Sequence, residues 1–147
     1  MPHNYEWQTR IKAVEREYSA TRQATDRFQE SAHRDPTILQ EDLSYRDIVH
    51  ASDNLEGTYI IRLFAEFETG LRLFWDHVRG TNPRTYDLLE GLASMREIPH
   101  DRLTEAHAVQ EYRNSLVHER EEKIDPISLP KARGYLCRFF SFLPPNW

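Results

Sequence analysis

The sequence predicts an all-α protein, an antiparallel helical bundle of about five helices. Apolar residues recur at spacings of three and four over several long stretches, Pro- and Gly-bearing breaks separate those stretches, and strand-like alternation never persists over a useful length. At 147 residues the chain is expected to form one domain, 1–147, long enough to bury a single core without staples.

The first helix is expected from 5 to about 30, where Trp7, Ile11, Val14, Tyr18, Thr21, Thr25 and Phe28 alternate spacings of four and three. Its later half is weakly apolar, which suits packing on a bundle better than a free-standing coiled coil. Asp35-Pro36 ends it. Residues 32–52 carry mixed charges without a sustained period and read as a connection, with at most a short turn of helix near 43–49. Ser52, Asp53 or Asn54 then caps a second helix over 55–79. Tyr59, Ile60, Leu63, Phe64, Phe67, Leu71, Phe74 and Trp75 share one broad face of it, the strongest core signal in the chain. On its other side Arg62 and Glu66, then Glu68, Arg72 and Asp76, fall at i,i+4 spacing, where such pairs are ordinarily solvated.

Gly80-Thr81-Asn82-Pro83 closes the second helix. A shorter one follows over 85–97, and a fourth over 101–118. Asp125-Pro126 breaks the chain again. Ser128 as cap and Pro130 in the first turn then open a last helix to about 142, which the tail Leu143-Pro144-Pro145-Asn146-Trp147 does not continue.

Composition narrows the function. The lone Cys137 sits among apolar neighbours, so neither a disulfide framework nor a zinc-ligand spacing is present, and a reducing setting fits. The first residues lack the basic and apolar regions of a signal peptide, and no run approaches the ~20 apolar residues that span a bilayer. A soluble, cytoplasmic protein with no membrane association is the expectation. A formal net charge of -5 argues against a sequence-blind polyanion binder but leaves room for a local basic site.

The fourth helix carries the most unusual pattern. At about 100° per residue, Leu103, Ala106, Val109, Tyr112, Leu116 and Val117 spread over one apolar arc, and Arg113 falls inside it. A guanidinium stays charged when desolvated, so a core-directed Arg requires a carboxylate, a phosphate or a path to solvent. Beside the arc, His107, Glu111, Asn114 and His118 form a polar stripe with spacings of four, three and four. Arg113 and His118 lie five residues and about 140° apart in projection, so a twofold contact with a second copy would assemble them more easily than one helix does.

The run Glu111-Tyr112-Arg113-Asn114-Ser115-Leu116-Val117-His118 resembles the signature of the HEPN superfamily: an Arg, commonly followed by a polar residue such as Asn, with a His a few positions on. The upstream helix from Tyr59 to Glu68 and the ending from Leu136 through Trp147 are also similar to a HEPN group found beside bacterial stress and defence genes, so the resemblance covers roughly 54–147. It implies a metal-independent ribonuclease of toxin or defence type acting as a homodimer. Arg113 and His118 would be its catalytic pair, with Asn114 orienting His118 or holding a phosphate oxygen. RNA supplies its own nucleophile, the 2′-OH; cleavage then needs a group titrating near neutrality and a cation for the pentavalent phosphorus. The expected products are a 2′,3′-cyclic phosphate and a 5′-hydroxyl end. No metal or other cofactor is called for.

Supporting roles fall to Glu66, expected to hold Arg113, to Arg62, which competes for Glu66, and to Glu111 and Glu119, which flank the motif. His107 joins the polar stripe; with Glu111 and His100 or His118 it has conceivable metal-ligand spacing, but no compact motif such as His-Glu-x-x-His appears. An antitoxin, such as a nucleotidyltransferase, is a further expected partner. Two alternatives stay open. One is a non-catalytic HEPN-like module that dimerises or binds a partner; the other is a helical scaffold in which Arg113 makes an interhelix ion pair and His118 merely answers the helix dipole.

Overall fold

The computed structural model describes residues 3–40, 42–118 and 124–147. Among them the chain forms five α-helices: α1 (Asn4–Arg34), α2 (Tyr45–Arg79), α3 (Thr85–Met95), α4 (His100–Val117) and α5 (Leu129–Phe140), with a single 3₁₀ turn at Pro36–Ile38 between the first two. The all-α architecture is as the sequence predicts. No helix among the described residues is long and apolar enough to cross a membrane.

The frame is a long antiparallel hairpin of α1 and α2. The Tyr18 hydroxyl donates to Glu56, the Arg22 guanidinium donates to the Ser52 hydroxyl and carbonyl, and Arg62 pairs with Glu17, so numbers rise on one helix as they fall on the other. Both helices are longer than their spacing predicts. α1 continues to Arg34, and α2 begins ten residues before the expected 55. Its cap is Ser44, whose hydroxyl accepts from the Asp47 N–H while the Asp47 carboxylate accepts from the Ser44 N–H, a reciprocal capping box. Ser52 is therefore an interior residue held by Arg22, and Asp53 and Asn54 are helical too. In the added turns only Ser52 is buried, with Tyr45, Ile48 and Val49 half-buried, and that stripe is lost among the charges between them.

The core collects on the later half of α2. Ile60, Leu63, Phe64, Phe67 and Leu71 are at most 1% exposed, and the Phe67 ring meets Phe139 and Phe140 of α5 edge-on at 5.8 and 6.3 Å. Trp7, Ile11 and Val14 close the core from α1, Leu88, Leu89 and Leu92 from α3, and Leu103, Ala106 and Val109 from α4. Phe28, the last position of the α1 stripe, is exposed instead. The two ends of the chain are tied together: the buried Asn4 carboxamide donates to the carbonyls of Phe140 and Leu143, and its N–H donates to the Pro145 carbonyl.

Helix ends follow the expected chemistry with small shifts. Gly80 takes the left-handed conformation after α2, φ 67°, where a side chain would be strained. α3 stops at Met95, two residues early, and Glu97 turns the chain with φ 51°. Ser128 caps α5 by accepting from the Lys131 N–H, with Pro130 in the first turn.

Gly70 shows how tightly the hairpin meets α5: a Cβ there would lie 2.8 Å from the Phe140 ring and 2.9 Å from Trp7. Gly70→Ala is expected to cost about 1–3 kcal/mol through overpacking, measured as a lowered urea midpoint; an unchanged midpoint would show that these rings have room to withdraw.

Candidate active site

α4 is wedged among three neighbours. Its first turns lean on α5, where Arg138 approaches Glu105 at 3.8 Å. Its middle faces α3 through His107, and its end faces α2 through Arg113 and Leu116. Along the α2 side, Gly57, Ile61, Phe64 and Glu68 recur at spacings of four, three and four, which keeps them on one stripe.

Arg113 is inward-facing, as its place in the apolar arc requires, and its side chain is 22% exposed. The guanidinium carbon lies 4.8 Å from the centre of the Phe64 ring, a cation–π contact that partly replaces lost hydration. Nη2 donates to Oε2 of Glu68 at 3.4 Å, long for a charge-assisted bond. Nε is buried and has no partner among the described residues. Glu68 is itself shared. Its Oε1 accepts from Arg72 Nε and Nη2 at 2.9 and 2.8 Å and from the Thr85 hydroxyl at 2.9 Å. Arg72 also donates to the Asn82 side chain and the Pro83 carbonyl, so it is a half-buried clasp across the α2–α3 turn and not the solvated member of a surface pair. Two guanidinium groups thus divide one carboxylate, which leaves the cluster one positive charge in excess.

The expected partner of Arg113 was Glu66, and the structure places Glu68 there. Glu66 lies on the opposite edge of the apolar face, beside Trp7, Arg10 and Arg62. Arg62 does not compete for it: its guanidinium bonds Glu17 at 2.6 Å and covers the Tyr59 ring.

The rest of the polar stripe separates into different roles. His107 is anchored at both ring nitrogens, Nε2 lying 3.0 Å from Glu90 and Nδ1 3.3 Å from Gln110, and its ring stacks on Tyr86 at 4.5 Å. It braces α3 against α4. The Glu90 carboxylate pushes the Tyr86 phenol above its ordinary pKa. Glu111 is exposed, Asn114 half-buried, and Glu119 lies outside the described residues. His118 is not on the helix. It is the residue after α4, extended at φ -117° and ψ 134°, exposed, with its N–H donating to the Asn114 carbonyl at 3.0 Å. Among the described residues no side-chain hydrogen bond joins Arg113, Asn114 and His118, and no group of three or more His, Cys, Asp or Glu side chains stands close enough to hold a metal ion.

Leu116 and Val117, expected at the end of the apolar arc, are 38% and 48% exposed. The arc is buried only as far as Val109, with Tyr112 half-covered; burial, and secondarily the Glu56 charge, raises the Tyr112 phenol's pKa. The residues sequence reasoning missed are Glu68 and Thr85. The four-three-four stripe containing Phe64 and Glu68 was the available signal for the first; nothing local marks Thr85.

No family model, curated protein or solved structure matches the chain.

Glu68→Ala is expected to lower stability by about 2 kcal/mol, because it strands two partly buried cations, whereas Glu66→Ala stays within about 0.5 kcal/mol. Urea unfolding of the two variants checks this, and equal losses would contradict the assignment of Glu68 as the anchor.

Proposed function

We propose that the chain is a metal-independent endoribonuclease of the HEPN type, with a site completed at the contact between two copies. One observation carries the reading: Arg113 is held on Phe64 and Glu68 with a single long hydrogen bond, inside a cluster whose positive charge exceeds its negative. A desolvated guanidinium with unspent donors suits an oxygen-rich anion, and a phosphate presents several acceptors in the geometry its fork matches.

In the proposed reaction the 2′-oxygen bonds to the adjacent phosphorus and the bond from phosphorus to the 5′-oxygen breaks. His118 takes the 2′-OH proton, and the second copy's His118, as imidazolium, protonates the leaving 5′-oxygen. Arg113 stabilises the charge that gathers on the phosphoryl oxygens. The product ends are a 2′,3′-cyclic phosphate and a 5′-hydroxyl. Arg113 faces α2 while His118 stands exposed beyond the end of α4, and this divergence favours a composite site. The exposed Leu116 and Val117 between them supply apolar surface for the contact.

A second reading, a non-catalytic HEPN-like module that dimerises or binds a partner, is favoured by the Glu68 pairing, which gives Arg113 a structural use. The two readings separate on activity.

With EDTA present, the wild type should cut RNA to cyclic-phosphate ends, and Arg113→Ala and His118→Ala should each lose about 10²–10⁴-fold. Because the step takes His118 from both copies, equimolar mixing of the two variants is expected to restore no activity, each mixed dimer holding a single His118; recovery of about a quarter of wild-type activity would show that one His118 serves both proton transfers. Full activity in both variants contradicts the ribonuclease reading; inactivity of the wild type leaves the module.

A further inference from the structure

Next to Arg113 on the chain, and two residues before His118, Tyr112 and Leu116 form one wall of a cleft of about 480 Å³ whose other wall is α2. We infer that this cleft is a base-recognition pocket selective for guanine, a proposal that rests on the ribonuclease reading and names the base it prefers.

The volume falls in the range of roughly 300–1,000 Å³ typical of small-ligand sites. Gly57 makes the cleft narrow by letting α4 approach, because a Cβ there would already lie 3.3 Å from the Leu116 side chain. Ile61, Tyr112 and Leu116 provide its apolar lining, one of them aromatic, and single-stranded RNA is read by bases splayed out against aromatic side chains. An aromatic wall contributes stacking that any base can use. Selectivity has to come from the rim.

The polar groups of the rim divide into spent and unspent. Both carboxylate oxygens of Glu56 are engaged, one accepting from the Tyr18 hydroxyl at 2.7 Å and the other from the Leu129 N–H at 3.3 Å. The Thr58 hydroxyl donates to the Asn54 carbonyl. Asp53 and Asn54 are exposed, and their side chains form no hydrogen bond among the described residues. A carboxylate beside a carboxamide matches one base edge. Guanine alone carries two adjacent donors, N1–H and the N2 amine, which a carboxylate accepts together, and its neighbouring O6 accepts from an amide N–H. Adenine, cytosine and uracil each place an acceptor where Asp53 needs a donor. The carboxylate also repels the phosphate, so the base enters the cleft and the backbone stays toward Arg113.

The test uses the full chain, isotopically labelled at Ile and Leu methyls, titrated with guanosine, adenosine, cytidine, uridine and inosine 3′-monophosphates. Guanosine monophosphate should shift the Ile61 and Leu116 methyls and bind about tenfold or more tightly than the others, with inosine, which lacks the N2 amine, grouped among the weak ligands. Asp53→Asn, an exposed and isosteric change, should level the affinities. Equal binding of all five, shifts that miss Ile61 and Leu116, or a preference that survives Asp53→Asn would each overturn the proposal. Selective binding without RNA cleavage supports the pocket and removes the ribonuclease reading; cleavage together with unselective binding does the reverse.

Discussion

The carboxylate of Glu68 is the constraint on which the site depends. It stands where α2, α3 and α4 meet and accepts from Arg72, from Thr85 at the start of α3 and from Arg113 of α4. Arg72, held there, fixes the α2–α3 turn through Asn82 and Pro83. Arg113, held there, keeps its guanidinium over Phe64 at the edge of the core. Burying two cations is tolerable only because a carboxylate lies between them. Because one carboxylate brings a single negative charge to two guanidinium groups, the node keeps one positive charge in excess. The same interaction that joins the helices therefore leaves a guanidinium with capacity for an anion.

Much of this was legible from the chain. The aromatic face of α2, the Gly80 stop and the Ser128-Pro130 start of α5 each express local chemistry, and the structure shows them where the periodicity puts them. The inward placement of Arg113 was legible for the same reason: a helical wheel fixes direction relative to the helix's own apolar arc. The identity of its partner was not. Glu66 and Glu68 sit about 100° to either side of the buried face of α2, and the wheel treats them alike. Which edge meets α1 and which meets α4 follows from how the helices pack around the core, a long-range property that α2 alone does not encode.

Two further differences have local causes. The first ten residues of α2 bury a stripe too narrow to stand out from its charged surroundings, and there the Ser44-Asp47 box was the more reliable start signal. His118 looks helical by spacing because it continues the line from Asn114, yet α4 ends one residue earlier and His118 becomes its extended cap. That single residue matters for chemistry. An imidazole on the helix would be tied to the stripe, whereas one past its end leaves that line and stands open to solvent.

On the proposed function, Arg113 is pre-positioned by α2 and keeps donors for a phosphate. The guanidinium Nε–H resonance of Arg113 tests it directly, followed in the His118→Ala protein during titration with an RNA strand whose 2′-oxygens are methylated, which removes the nucleophile. The expected result is a resolved, exchange-protected signal in the free protein that shifts as the strand binds. A signal averaged like that of a solvated arginine, or one that stays fixed while neighbouring resonances move, would contradict it.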